Sequence, residues 1–347
     1  LLPFKQVSIV VNMITKIMVC CLHVPDRILG FLDDRLERLQ RRGFGDLPGA
    51  VVLLFPGLFI LALFILIPMV STFYMSLFGG RHGTGAFVGF NNYLDAFRSH
   101  DFRQSLLVTI YYVLGVIPIS LVLSFFVAFG LYRIRKFRGL LRSFYFLPYV
   151  TSAVASALIW RSLFNPQSGV VNMILGFFGA APQQWLLEPR GVLHILSGGA
   201  IPASWGPSLA LVCIILFDIW HSCGFSIVVF FAGFSSLPPE IEEAARMDGA
   251  ERWRLLRHIT LPLLSPTLFF LLVVGVIKAF QAFNSFYALT QGENMADRQN
   301  LILYIYAQFY QYGYWGYASA VAVLLMLAIV ALTFLQWRIL ESRIHYE

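Results

Sequence analysis

The sequence predicts an all-α membrane protein, a polytopic bundle of about six transmembrane helices. Composition is the first observation behind this: 12% of residues are charged, 58% are hydrophobic and the mean hydropathy is +0.73. Such a chain is too apolar to keep a solvated surface around a soluble core. The second observation is the spacing of apolar runs, which cover approximately residues 50–77, 105–131, 144–164, 208–235, 263–290 and 316–337. Each approaches or exceeds the roughly 20 residues that a helix needs to cross about 30 Å of hydrocarbon. Lipid offers no partner to a free N–H or C=O, so each run is expected to be helical, and all are too long and continuous for barrel strands.

Residues 1–49 form an N-terminal extension, cytoplasmic or interfacial. Within it, residues 7–22 are apolar but short and are interrupted by Asn12 and Lys16, which fits an interfacial helix, an extra span being the other reading. A charged helical stretch over 26–42 leads to Gly43 and Pro48. Arg41-Arg42 before an apolar run is weakly like an export signal, but the run is too long and lacks a small-residue cleavage site, so it reads as an uncleaved first span. The third run is the weakest, being the shortest and ending at Trp160-Arg161. Pro68, Pro118 and Pro148 are compatible with membrane helices whose neighbours re-satisfy the backbone. Cys20, Cys21, Cys213 and Cys223 lie in apolar surroundings without metal-ligand spacing and read as packed thiols.

Orientation follows from lysine and arginine in the connecting segments. The N-terminal region carries seven, the 132–143 loop five, the 236–261 loop four and the C-terminal end two, against three, two and one in the alternate loops. The positive-inside rule then places both termini and the 236–262 loop in the cytoplasm. The net charge of +7 is thereby a record of topology, and no basic patch interleaved with aromatics suggests nucleic acid.

The 236–262 loop is a charged, helix-prone island between two apolar runs. Pro238-Pro239 supplies a helix start, and Glu240, Glu242 and Glu243 fall in the first turns, where the helix dipole favours anions. A short helix over 241–247 follows, with Ala244 and Ala245 small enough for close backbone approach, and Gly249 after Asp248 can end it in a left-handed turn. A second short helix spans 251–258, and Pro262 and Pro266 mark the start of the next span. Position by position, Glu243-Ala244-Ala245, Gly249, Ile259 and Leu261-Pro262 resemble the EAA-x3-G-x9-I-x-LP signature of ABC importer permease subunits.

Other segments narrow that resemblance to the carbohydrate-type permeases, the group with the maltose and glycerol-3-phosphate subunits, and within it to the first permease of the pair. They are the 87–93 stretch with Asn92-Tyr93, Arg138-Gly139 with Leu147-Pro148 and Trp160, Gly169 to Asn172, Trp185-Leu186, Asp218 with Trp220, Asp248-Gly249-Ala250 and Phe283-Asn284. The resemblance covers roughly residues 50–340, the transmembrane permease domain, with 341–347 as a cytoplasmic tail. It implies the type I importer permease fold in a bacterial inner membrane and a coupling role for the 236–262 loop. It also implies a second homologous permease subunit, two ATPase subunits that bind ATP and Mg, and an external solute-binding protein that hands over a sugar or related small solute. Glycerol-3-phosphate or a phosphodiester is the alternative cargo. Two departures stand out: Gln291-Gly292-Glu293 replaces the family's Gly-Gly-Pro turn, and residues 192–207 look like an inserted loop, passive or adjusting binding-protein docking.

Ionisable residues inside spans are costly and default to functional candidates. Asp218 and His221 fall in the fourth run and Lys278 in the fifth. Lys278, Gln281 and Asn284 are spaced to share one helix face, with Tyr287 following, so these residues and Asp218 are substrate-path candidates. Polar groups there suit sugar hydroxyls, with Tyr287 or Phe283 stacking on a ring; Lys278 instead suits an anionic substrate, or an ion pair with Asp218 that holds two helices together. Ser152, Ala153, Ser156 and Ala157 read as helix-packing surface in preference to substrate contacts. No Gly-Lys dipeptide occurs, so there is no P-loop, and no G-x-S-x-G or H-E-x-x-H motif is present. A secondary transporter would need no such loop but would need intramembrane acidic coupling sites and inverted repeats.

Overall fold

The computed structural model describes residues 47–82, 85–134, 136–203, 205–248, 251–292 and 297–340. Most of the N-terminal extension, including residues 7–22 and 26–42 with Cys20 and Cys21, lies outside them, as do Gly249, Ala250 and the 341–347 tail. The chain divides into two compact units, Leu1–Ser71 and Thr72–Glu347.

The described part of the first unit is helical. Helix α1 (Leu47–Leu61) passes through one π-helical turn, Ala62–Leu66, into α2 (Ile67–Met75). Pro56 is accommodated inside α1. Leu54–Met75 is long and apolar enough to cross a membrane, and Phe55, Phe59 and Phe64 present an exposed apolar surface suited to lipid.

The second unit is built on the pairing of α4 (His100–Arg133) with α9 (Leu209–Ser236), preceded by the short α3 (Asn91–Arg98). Val108, Tyr112, Val116, Ile117, Ser120, Leu121 and Ser124 recur at helical spacing and are buried, whereas Leu107, Leu114, Val122 and Phe126 are exposed. A helix apolar all round, with one face packed and the other bare, is what a span at the edge of a bundle requires. At one end the seam is aromatic, Phe125 meeting Phe230 at 5.6 Å and Phe129 and Tyr132 each meeting Phe234 at 5.7 Å. Gly224 brings α9 against α5 (Arg138–Val150): a Cβ there would lie 2.4 Å from the Tyr145 carbonyl oxygen.

The remaining helices are α6 (Ala153–Leu163), α7 (Val170–Phe177), α8 (Val192–Leu196), α10 (Pro239–Met247), α11 (Arg252–Leu255), α12 (Leu261–Leu263), α13 (Ser265–Phe280), α14 (Asn284–Thr290), α15 (Leu301–Tyr306) and α16 (Trp315–Leu340). Among the described residues, strand pairing is confined to two isolated bridges.

Two of the six expected spans are not continuous. The third is bent by 93° between α5 and α6, whose 13 and 11 residues are each too short to cross alone. Pro148 removes a helical N–H, Thr151 Oγ1 donates to the Pro148 carbonyl at 2.6 Å, and Ser152 restarts the chain as N-cap of α6. The fifth leaves the 236–262 loop through a 64° bend and breaks again at residues 281–283, between α13 and α14. The polar residues at the breaks, Thr151, Ser152 and Gln281, are too few to end an apolar run, so hydropathy averaged over a window reads each as a single helix. Ser156 and Ala157 are buried, as a packing role requires, while Ala153 faces a cavity described below. Cys213 and Cys223 are buried free thiols.

Buried and half-buried polar side chains close the ends of helices. Asn92 donates from Nδ2 to the Ser76 and Phe78 carbonyls at 2.7 and 2.9 Å, and Tyr93 meets Ser76 Oγ at 2.6 Å. Asn172 accepts from Trp185 Nε1 at 2.8 Å and donates to the Pro166 and Gln183 carbonyls, each at 2.9 Å. Asn300, fully buried, accepts from Leu303 N at 3.0 Å as N-cap of α15 and donates to the Ala282 carbonyl at 2.5 Å, inside the break of the fifth span. Residues 192–207 fold back on themselves, with Gly191 N donating to the Ala203 carbonyl at 2.9 Å and Val192 N to that of Pro207 at 3.0 Å. Gln291 and Gly292 are both left-handed, at φ 57° and 71°, and Gly292 N closes onto the Tyr287 carbonyl at 3.0 Å.

Two of these anchors predict measurable behaviour. Asn300→Leu removes one acceptor and one donor from a buried site; the expected loss is about 1–3 kcal/mol for each group left unpaired, seen as a lower melting temperature in detergent, and an unchanged melting temperature would contradict it. Near the 192–207 loop, Arg190 donates from Nε and Nη2 to Glu188 at 2.7 Å each, holding the Glu188 carboxyl below the usual glutamate range. A depressed folded value means that this stabilisation is complete above the ordinary carboxylate range, about 4.3, and is lost as pH falls through the folded value. Glu188→Gln is therefore expected to weaken the dependence of melting temperature on pH below about pH 5.

Candidate functional site: an intramembrane cavity and a charged helical loop

Two places in the second unit gather the residues that the sequence marks. The first is the charged loop. Helix α10 carries Glu243, Ala244 and Ala245; Ala245 is buried, and Asp248 N bonds the Ala244 carbonyl at 3.0 Å. After Gly249 and Ala250, which lie outside the described residues, α11 runs into a π-helical turn, Leu256–Thr260, and on through Leu261 and Pro262 in α12. The second helix is thus longer than the expected 251–258 and merges with the start of the fifth span. Ile259 faces inward to a cavity of about 410 Å³ beneath the loop, with Ile241 and Leu255. Leu261 lines a smaller apolar hollow with Trp253, Leu264 and Leu268. On the outer side Met247 is 88% and Trp253 63% exposed. Met247 and Trp253 are thus the most exposed large apolar side chains among the described residues of the charged loop.

The second place is a cavity of about 310 Å³ between α4, α5, α9 and α13, reached also by Ala282, Phe283, Asn284 and Ser285 from the break of the fifth span. Its size is at the low end of small-ligand sites, roughly 300–1,000 Å³. Lys278, Gln281, Asn284 and Asp218 all line it, and so does His221. They are not brought together by one helix face: α13 ends at Phe280, Gln281 caps it, and Asn284 starts a new helix. The break itself carries Gln281 and Asn284 to the wall. Tyr287 does not line the cavity; it stacks on Phe283 at 5.2 Å and meets the edge of Tyr306 at 5.6 Å, forming an aromatic cluster beside it.

The two charges have separate partners. Tyr112 donates its hydroxyl to Asp218 Oδ2 at 2.7 Å, and Ser285 faces the same carboxylate. Lys278 Nζ donates to the Tyr149 hydroxyl at 3.2 Å and lies 5.4 Å from the Tyr149 ring centre and 4.6 Å from that of Phe225. No Lys278–Asp218 ion pair is found among the described residues, so the helix-clamping reading of this pair is not what the structure adopts. His221 Nε2 faces the Thr151 carbonyl at 3.4 Å. Tyr112, Tyr149 and Phe225 were not anticipated. One signal was available: Asp218, His221, Ser222 and Phe225 follow a 3–4 residue spacing on one α9 face.

In the loop between the outer helices, Asp297 is held above the usual carboxylate range by burial, with Arg298 opposing the shift. The Ser208 hydroxyl donates to its carbonyl at 3.1 Å, and Arg298 donates to the Leu186 carbonyl, so this region locks two loops together.

Long apolar helices, two broken spans, a cavity at the breaks that carries a few polar side chains and a charged helical loop feeding one of them define a polytopic membrane transport subunit. The chain belongs to the family described as binding-protein-dependent transport system inner membrane component, whose model matches residues 83–346. It is 31% identical to the probable ABC transporter permease protein YesP of Bacillus subtilis, over 82% of this chain and 87% of that protein. It is 28% identical to the trehalose/maltose transport system permease protein MalF of Thermococcus litoralis, over 81% of this chain and 90% of that protein. Among solved structures it is similar to a chain of a bacterial ABC transporter involved in import of the acidic polysaccharide alginate, with a TM-score of 0.71, 22% identity and coverage of 89% of this chain and 99% of that one. That likeness bears on the fold and agrees with the type I importer permease architecture.

The Tyr112–Asp218 bond generates a test. In a double-mutant cycle with Tyr112→Phe and Asp218→Asn, the expected coupling energy is about 1.5–3 kcal/mol for a hydrogen bond to a charged group, read from unfolding in detergent. Additive effects would show that the two groups are independent.

Proposed function

We propose that the chain is one of two homologous permease subunits of an ABC importer, passing a sugar or related small solute delivered by an external binding protein. ATP and Mg bind two copies of a partner ATPase, and both termini and the 236–262 loop face the cytoplasm, the side the lysine and arginine distribution favours. The substrate path runs through the cavity walled by Lys278, Gln281, Asn284 and Asp218, with the Tyr287 cluster beside it.

The observation that carries this reading is the covalent continuity of the loop with the cavity wall. Helix α11, Leu256–Thr260 and α12 lead directly into α13, the helix that ends at Phe280 beside Lys278. A partner gripping Met247 and Trp253 would pull on α13 as a lever, and its broken end would change the cavity. Discontinuous helices lining a cavity are where a membrane protein can change shape without exposing backbone to lipid. Names of relatives support the cargo class: the Thermococcus protein is a trehalose/maltose permease.

ATP hydrolysis by the complex reconstituted with its ATPase tests the proposal. In wild type, the loaded binding protein should stimulate hydrolysis; in Gly249→Asp, with normal membrane insertion, stimulation should fall by about tenfold or more, as loss of a site-to-site coupling requires. Co-purification of no ATPase, with transport retained in the variant, would defeat the importer reading.

A further inference from the structure

We infer that the cargo of this cavity carries a negative charge, a carboxylate or phosphate on a polyhydroxylated small molecule, and that Lys278 is the residue that reads it. The inference rests on the importer reading above and specifies its substrate class.

Four observations carry it. First, Lys278 is the one lysine or arginine and Asp218 the one carboxylate among the residues that line the cavity. Second, the two are not spent on each other. Asp218 is engaged by the Tyr112 hydroxyl at 2.7 Å and faces Ser285, and no ion pair between it and Lys278 is found among the described residues. Third, among the described residues the contacts of the ammonium are to neutral groups. Of its three N–H donors, one goes to the Tyr149 hydroxyl at 3.2 Å, and the rings of Tyr149 and Phe225 lie against the cation. Those rings hold the cation electrostatically without neutralising it. Fourth, the side chain is exposed to the cavity instead of buried in the packing between helices. A charge inside a span is expensive to keep, and a carboxylate at hydrogen-bonding distance would be the cheapest compensation.

The surrounding groups suit such a molecule. Gln281, Asn284 and His221 line the same cavity and offer hydrogen bonds to hydroxyls, while Tyr149, Phe225 and Phe283 offer flat faces to a ring. A neutral sugar would offer the ammonium hydroxyl oxygens without an opposite charge; an acidic one would neutralise it. Ionised partners make the shorter and stronger hydrogen bonds, so the charge sets selectivity and the rest sets the polyol character.

The test is ligand binding to the purified permease–ATPase complex in lipid nanodiscs, measured by saturation-transfer NMR titration. Three probes are compared: D-galacturonate, sn-glycerol 3-phosphate and D-galactose, the first and last sharing a ring and differing in the carboxylate. The wild type is expected to bind at least one anionic probe about tenfold or more tightly than galactose, about 1.4 kcal/mol by the conversion of affinity to free energy. Lys278→Met should abolish that preference with an unchanged melting temperature, and Lys278→Arg should retain most of it. Which anionic probe wins distinguishes carboxylate from phosphate. Equal binding of galactose and both anions overturns the inference, as does an unchanged anion preference in Lys278→Met or a failure of both anionic probes to bind. None of these results touches the importer reading, which stands or falls on the ATP hydrolysis experiment.

Discussion

In an apolar medium a backbone carbonyl that leaves its helix must find another donor, and the bond from Asn300 Nδ2 to the Ala282 carbonyl at 2.5 Å meets that requirement at the break of the fifth span. Without a donor there, residues 281–283 would gain by rejoining α13 to α14, and the cavity wall formed by Gln281 and Asn284 would disappear into an ordinary helix face. The same side chain caps α15 through Leu303 N, and Leu301 N bonds Thr109 Oγ1 on α4 at 2.9 Å. The asparagine thereby ties the break to α15, and the Leu301–Thr109 bond ties α15 to α4.

The third span obeys the same rule by a different device. Pro148 removes a helical N–H, Thr151 Oγ1 donates to the Pro148 carbonyl at 2.6 Å, and Ser152 opens the next helix after a 93° turn. Tyr149, next to that turn, contributes the ring and hydroxyl that hold Lys278. The two breaks are therefore partners in one site: one places the cation's support and the other supplies the polar groups around it. Gly224, pressed against the Tyr145 carbonyl, allows α9 to approach close enough for Phe225 to complete that support.

Continuity from α10 through α12 to α13 gives the loop mechanical access to this cavity. Pro262, Pro266 and a π-helical turn lie along that route, so the joint is shaped by residues that disturb regular helical bonding, and its 64° bend is a local feature. Because α13 packs on α4, a shift of the loop reaches the α4–α9 pair as well as the cavity.

Much of the architecture was legible in the residues. Long apolar runs announced α4, α9 and α16 because transfer to hydrocarbon depends on composition, which a sequence states directly. The loop helices were legible from Pro239, the glutamates and Leu261-Pro262, whose effects are local. Asp218 and Lys278 were found because charge is conspicuous in an apolar run. The breaks at 151–152 and 281–283 were not, since a few polar residues such as Thr151, Ser152 and Gln281 do not end an apolar run and the donors that stabilise the second, such as Asn300, are distant in sequence. Nor could spacing show whether Lys278 meets Asp218 or Tyr149. Each choice depends on which long-range neighbour compensates a group denied water, and only the packed helices decide that.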